Sequence, residues 1–357
     1  SLAAFAMVRV GLRAAGLAAI LVRPSLAAAA AAAEAIDAET LAAMAVGDEC
    51  RAGRAGGADA CALSALQHRA SAAQSVAANA TEQRRLTIVN GCASRPIWIA
   101  HIAAGRVGPD PQDLKLEPGA SHAFQTSEHG RGLVATRYWP KLGCDPAGNN
   151  CAVGDSGGPG EGCVIRSPNA PDDYSRCAPP TDSKFEATFA PPDAPTRDTV
   201  DMSLVDGYSL PFKLEVQGDC TRVGRPFHAM ECQGLSLRHC PRAEMLNGRR
   251  MSLHAKNPKT GRVAGCYSPC MRLTDDKWGR PYGGPDSPAA APFCCAGSHG
   301  TPGVCSRGPA VRTQYLRAVH RSCPAAYGYA YDDKSATIVC TTSTRYTVTF
   351  YCPDLPA

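Results

Sequence analysis

Eighteen cysteines in 357 residues constrain this chain more than any other feature. Cysteine at this density serves either disulfides or structural zinc. A structural zinc site asks for two close pairs, or for Cys/His pairs at tight spacing. Cys266 with Cys270, and the adjacent Cys294 and Cys295, come nearest to that pattern. The cysteines are nevertheless spread from 50 to 352, and chain neighbours cannot easily share one tetrahedral ion. The N-terminal segment points the other way. Met7, the basic Arg9 and Arg13, the apolar run Ala14 to Val22 and the small residues after Pro24 read as an export signal over residues 1–33. Export and an even cysteine count predict a disulfide framework in an oxidising compartment, with no metal and no other cofactor. The apolar run is far shorter than the ~20 residues of a membrane span, so no stable membrane insertion is expected. Residues 34–85 read as an Ala-rich pro-segment or linker with its own pair, Cys50 and Cys61. Within it, Asn79-Ala80-Thr81 is a glycosylation acceptor pattern.

The tone changes at residue 86. Short apolar or alternating runs follow, separated by turns drawn from 34 Gly and 29 Pro. LTIVNGC (86–92), IWIAHIA (97–103), LEPGASHAFQT (116–126), GLVATRYW (132–139), KFEATFA (184–190), TVDMSLVDGYSLPFKLEV (199–216) and RYTVTFYC (345–352) predict strands. Trp98 and Trp139, inside two of them, are expected in the core. Residues 220–312 read as loops and clustered cysteines. One helix stands out, Thr313 to Ser322, with Tyr315, Leu316, Val319 and Cys323 on one face and Thr313 as N-cap. Charge divides the same way. Residues 86–219 hold 11 Lys and Arg against 17 Asp and Glu, whereas 220–323 hold 16 against 5. The basic block predicts a solvated face that attracts anionic surfaces. Nothing in it resembles a nucleic-acid-binding motif, so no nucleic acid partner is expected.

The hexapeptide GDSGGP, Gly154 to Pro159, surrounds the nucleophile in trypsin-like proteases. A serine nucleophile also needs a histidine base, an orienting aspartate and oxyanion donors. The best base, His101, lies 55 residues before Ser156. That interval cannot hold most of one barrel and half of another, each needing on the order of 100 residues. Turn formers fill the place of the specificity strands. The chain is not read as a serine protease.

IVNGC, the WP-K-GC stretch after GLVATRYW, VDMSLVDGYSLP, GCYSPC, FCC, YLRAVHRSCPAAYGYAYDD and YTVTFYCP together resemble the thaumatin-like family, over about 86–353. The family has sixteen half-cystines, and setting aside Cys50 and Cys61 leaves sixteen here. The resemblance implies a mainly β fold. A flattened β-sandwich (86–219 and 324–357) would carry a disulfide-rich loop-and-helix subdomain (220–323) beside it. It implies the pairing Cys92–Cys352, Cys144–Cys151, Cys163–Cys177, Cys220–Cys340, Cys232–Cys323, Cys240–Cys266, Cys270–Cys294 and Cys295–Cys305. Where the family typically reads Gly-Asp-Cys-Gly-Gly, this chain has Ser156. The serine therefore resembles a lost half-cystine, and Cys163 with Cys177 would close the longer loop instead.

Antifungal members carry an acidic cleft, and its residues match Arg137, Glu186, Asp201, Asp206 and Asp332, with Asp333 a rival for Asp332. Asp201 and Asp206 are five apart, which strand parity would put on opposite faces unless the chain bends between them. Carboxylates accept from sugar hydroxyls and an Arg donates to sugar oxygens. Tyr208 is the candidate aromatic platform, or else a packed strand residue. The resemblance implies a secreted, monomeric defence or cell-wall protein that binds β-1,3-glucan. Two alternatives stand beside it: a weak endo-β-1,3-glucanase with Glu186 as acid and Asp201 as nucleophile or base, and a non-catalytic stress protein with a vestigial cleft.

Overall fold

Burial follows the strand period most plainly in the first strand. In the computed structural model, which describes residues 84–155, 179–192 and 194–353, LTIVN buries every second residue. Outside the described residues lie the signal region, the Ala-rich segment as far as residue 83, Asn79, Cys50, Cys61, Ser156, Cys163 and Cys177. The strands are β1 (Leu86–Asn90), β2 (Ile97–Ala103), β3 (Leu114–Leu116), β4 (Ser121–Phe124), β5 (Leu133–Leu142), β6 (Lys184–Phe189), β7 (Asp198–Ser203), β8 (Gly207–Tyr208), β9 (Phe212–Gln217), β10 (Cys220–Arg222), β11 (Arg225–Pro226), β12 (Ala229–Cys232), β13 (Glu244–Leu246), β14 (Arg249–Met251), β15 (His254–Lys256), β16 (Val263–Tyr267), β17 (Ile338–Cys340) and β18 (Arg345–Phe350). Five form one sheet, in the order β12-β9-β18-β1-β4. Eight form another, β11-β10-β17-β7-β6-β5-β2-β3. Within these sheets β1 and β18 run parallel, and the other paired strands run antiparallel.

The inward residues of both sheets join in one core. Leu86, Ile88, Phe212, Leu214, Val348 and Phe350 come from the smaller sheet, and Tyr138, Phe185, Phe189, Val200 and Met202 from the larger. Rings run through it in contact, Phe124 to Tyr138 at 5.2 Å, Tyr138 to Phe185 at 6.3 Å and Phe185 to Tyr346 at 6.1 Å. Each such buried side chain contributes about 1.5–3 kcal/mol relative to exposure. One charge pair sits among them. Arg85 pairs with the buried Asp198, which also accepts from Ala190 N (2.8 Å) and Tyr346 Oη (2.8 Å). These partners satisfy a carboxylate that burial would otherwise penalise.

Seven of the eight expected disulfides lie among the described residues, each with the expected partner: Cys92–Cys352, Cys144–Cys151, Cys220–Cys340, Cys232–Cys323, Cys240–Cys266, Cys270–Cys294 and Cys295–Cys305. Cys92–Cys352 joins the chain just beyond the ends of β1 and β18, 260 residues apart in sequence. Peptide mapping without reductant is expected to show Cys163 joined to Cys177. Free thiols at both positions would contradict the reading of Ser156 as a replaced half-cystine.

Two stretches differ from expectation. The run 199–216 divides into β7, β8 and β9, with a bend at Val205 and Asp206. Gly207 makes the turn possible, at φ +131°, where an added Cβ would meet the Cys266 carbonyl oxygen at 2.2 Å. Residues 220–312, expected as loops, supply β10, β11 and β12 to the two sheets, and also β13 with β14 as a two-stranded sheet and β15 and β16 with β8 as a three-stranded one. Most of these strands have two to four residues, too short to leave a period in the sequence. The helix Gln314–Ser322 forms as expected, and Thr313 caps it by accepting from Leu316 N at 3.2 Å. Among the described residues no helix is long and apolar enough to cross a membrane.

Candidate functional site

Three adjacent strands build the site. On β6, Phe185, Ala187 and Phe189 enter the core, so the period of two puts Lys184 and Glu186 on the opposite face. On β7, Val200 and Met202 enter the core and Asp201 takes the opposite face. On β5 a bulge sets the parity. Leu133 pairs with Phe189 but Thr136 with Ala187, so β5 carries one extra residue there, with Ala135 at φ 49°. The bulge lets Leu133 and Tyr138 both reach the core while Arg137 faces the same way as Glu186. The register then lines up Arg137 with Glu186, and Glu186 with Asp201. Residues so opposed have Cβ atoms about 4.5–5.5 Å apart.

Two ion-paired cations hold the charges along this row. Arg137 Nε lies 2.7 Å from Glu186 Oε1, with side chains 11% and 4% exposed. Burial works against the guanidinium charge, but Glu186, Asp206 and Asp182 outweigh it and raise its pKa. Lys184, fully buried, lies 2.9 Å from Asp182 Oδ1 and 2.5 Å from Asp206 Oδ2. Burial pushes Asp182 up to about 6, although the Lys184 charge opposes it. Asp206 is buried too, yet Lys184 overrides that penalty and holds its carboxyl below the ordinary range. Asp201 goes the other way. Burial first, and the neighbouring Glu186 charge second, push it well above the ordinary aspartate value. Its Oδ1 is shut off from water without a hydrogen-bond partner. The row therefore places Asp201, its acidity weakened by burial and by the neighbouring charge, directly across from the Arg-paired Glu186.

The other candidates fall as follows. Asp206 reaches Lys184 because the chain leaves the strand after Ser203, which resolves the parity of the five-residue spacing. Asp332 is buried, accepts from Gly328 N at 3.1 Å and lies 2.7 Å from His320 Nε2. Asp333 is exposed, accepts from Tyr327 Oη at 2.7 Å, and its charge acts on Asp201. Asp333 thus acts electrostatically on Asp201 in the row. Tyr208 is corrected as a platform. It is 1% exposed, stacks on Tyr315 and donates to the Ser236 carbonyl, so no ring face is left for a sugar. Trp98 and Trp139 are buried, as expected. His101 lies in the core against Tyr138 and Phe124, with Nε2 at 3.1 Å from the Asp110 carbonyl, and burial lowers its pKa.

Sequence reasoning missed Asp182, Lys184 and Tyr327. The first two had a signal, since Asp182, Lys184 and Glu186 alternate and so share a face. Tyr327 had none; bonds from Tyr327 N to Met202 O and from Leu204 N to Tyr327 O bring it beside β7. No group of three or more His, Cys, Asp or Glu among the described residues is placed to hold a metal ion.

The family model for thaumatin matches residues 90–353. The chain is 29% identical to thaumatin-like protein 1 of Pyrus pyrifolia over 277 residues, 75% of this chain and 91% of that protein. It is likewise 29% identical to pathogenesis-related protein 5 of Arabidopsis thaliana, over 75% of this chain and 89% of that one. It is 30% identical to a Prunus avium protein named glucan endo-1,3-beta-glucosidase, over 61% and 71% of the two chains. With seven disulfides paired as expected on a fold built on a five-stranded and an eight-stranded sheet, and a family match across nearly all of the described residues, the chain belongs to the thaumatin family.

Proposed function

We propose that this protein is secreted and binds a β-1,3-glucan-type polysaccharide along the row Arg137, Glu186 and Asp201. The observation that carries this reading is the register, which sets a guanidinium and two carboxyls side by side on one face of three strands. Sugar hydroxyls both donate and accept, so a row mixing donors and acceptors suits them. Arg137 and Asp201 are partly exposed and Asp333 is exposed, and these are the groups a polymer would touch. Tyr327, half-buried beside them, offers the ring face that Tyr208 lacks. Lys184 and Asp182 hold the row from behind. The disulfide framework supports an oxidising, extracellular setting, and the glucanase-named relative supports the polymer class.

A second reading, weak endo-β-1,3-glucanase activity, is favoured by one further observation. A glycosidase needs one carboxyl that keeps its proton and one that does not. Burial and the Glu186 charge shift Asp201 toward its protonated form, while Glu186 faces Arg137. The roles would then be Asp201 as acid and Glu186 as base or nucleophile, the reverse of the sequence expectation.

Retention on insoluble β-1,3-glucan tests the binding reading. The intact, oxidised chain is expected to be retained. Arg137→Ala should weaken retention by roughly 10- to 100-fold in affinity, since hydrogen bonds to charged groups contribute about 1.5–3 kcal/mol. Equal retention of wild type and variant would contradict the assignment.

A further inference from the structure

We propose a second binding site, for an acidic, uronate-bearing polysaccharide, in a basic pocket remote in sequence from the acidic row. The pocket is a cavity of about 1120 Å³ lined by residues between Arg242 and Tyr282. Arg242, Lys256, Arg262, Arg272 and Arg280 converge on it, and none of the described residues lining it is acidic. None of the five cations takes part in an ion pair among the described residues. Five cations around one cavity repel each other, and an anionic ligand relieves that repulsion.

The walls are fixed before any ligand arrives. Asp275 accepts from Tyr267 Oη at 2.6 Å and from the backbone of Lys277 and Trp278 at 2.8 and 3.1 Å. Tyr282 N donates to the Leu273 carbonyl at 2.7 Å, and Arg272 Nε to the Ser252 carbonyl at 3.1 Å. These bonds hold the loop that brings Trp278 and Tyr282 to the rim, one half-buried and the other exposed. In the wall, His254 Nε2 is buried without a hydrogen-bond partner.

The chemistry selects the ligand. Guanidinium forks match carboxylates in two-point contact, and aromatic rings offer apolar faces to sugar rings. A cavity of this size exceeds the upper end of the usual small-molecule range, about 1,000 Å³, and leaves room for several sugar units. Stacked bases on a nucleic acid strand could use similar groups. The seven disulfides place the fold in an oxidising compartment, where acidic glycans are the fitting polyanion.

Calorimetric titration of oligogalacturonate into the intact, oxidised chain tests this. Binding is expected at low salt and should weaken as salt screens the charges. Arg262→Ala with Arg280→Ala should weaken it at least ~10-fold, because two charge-assisted contacts are lost. The Lys versions of both should fall between, keeping charge but losing the fork. Trp278→Ala should weaken binding and leave its salt dependence unchanged, while Glu186→Gln should have no effect. No binding at low salt would overturn the proposal. So would binding indifferent to the Arg262 and Arg280 changes at an unaltered melting temperature, or single-stranded RNA binding more tightly than oligogalacturonate. Laminarin binding by the double Arg variant should stay at the wild-type level, which keeps this site distinct from the acidic row.

Discussion

Replacing Lys184 with alanine is expected to cost the fold about 3–5 kcal/mol, the usual penalty for removing one partner of a buried ion pair. Lys184 is 1% exposed and bridges Asp182 and Asp206. Without it two buried carboxylates face each other with no intervening cation. The loss should depend on pH, and its sign follows from linkage. Removing Lys184 raises the folded-state pKa of both acids above their unfolded value, so the folded variant holds more protons than the unfolded chain. Its stability is then fullest at acid pH and falls as pH rises through that window. Denaturant unfolding at about pH 4 and pH 7 should show the larger penalty at pH 7. A penalty that is small, or the same at both values, would mean that Lys184 does not hold the two carboxyls apart.

Asp201→Asn should lower any glucan hydrolysis by a factor on the order of 100 or more, since it removes the proton donor from the assigned pair. Two readouts separate this from damage to the fold. Wild-type turnover should decline as pH rises through the elevated Asp201 pKa, because the acid form is the active one. An aryl glycoside whose leaving group needs no proton should lose much less activity than laminarin in the Asp201 variant. Glu186→Gln should impair both substrates alike. The opposite pattern would restore Glu186 as the acid and Asp201 as its partner. If the protein binds without cleaving, neither change should abolish binding, because each keeps hydrogen-bonding atoms in place.

Much of this was legible in the sequence, for reasons that particular residues make plain. Alternation of apolar and polar residues marks β1 and β6, because successive side chains point to opposite faces, whereas β2 reads as a short apolar run and is buried at six of its seven positions. Thr313 before an apolar face at helical spacing gave both the helix and its cap. Cysteine order gave seven pairings, though through family resemblance rather than geometry. Arg137, Glu186 and Asp201 came through the family resemblance, but their alignment across three strands did not. It depends on the bulge at Val134 and Ala135, and one extra residue leaves no mark in an already irregular pattern. Asp332 and Asp333 could not be told apart because they lie where strand parity says nothing, at the start of the short helix Asp333–Ala336. Tyr208 fails as a platform because β8 turns it onto Tyr315, a contact 107 positions along the chain. Tertiary packing of this kind has no local signature.

The central claim is that the aligned row, with Asp333 at its exposed end, is a glucan site. The most direct test is calorimetric titration of laminarin oligosaccharides into the intact, oxidised protein, wild type against Asp201→Ala with Asp333→Ala. These substitutions remove acceptors and leave both ion-pair partners of Lys184, Asp182 and Asp206, in place. Saturable binding by the wild type is expected, weakened by roughly tenfold or more in the double variant, as befits two lost contacts to charged groups. The melting temperature should stay near that of the wild type. Absence of laminarin binding by the wild type, or binding of equal strength by the double variant, would contradict the claim.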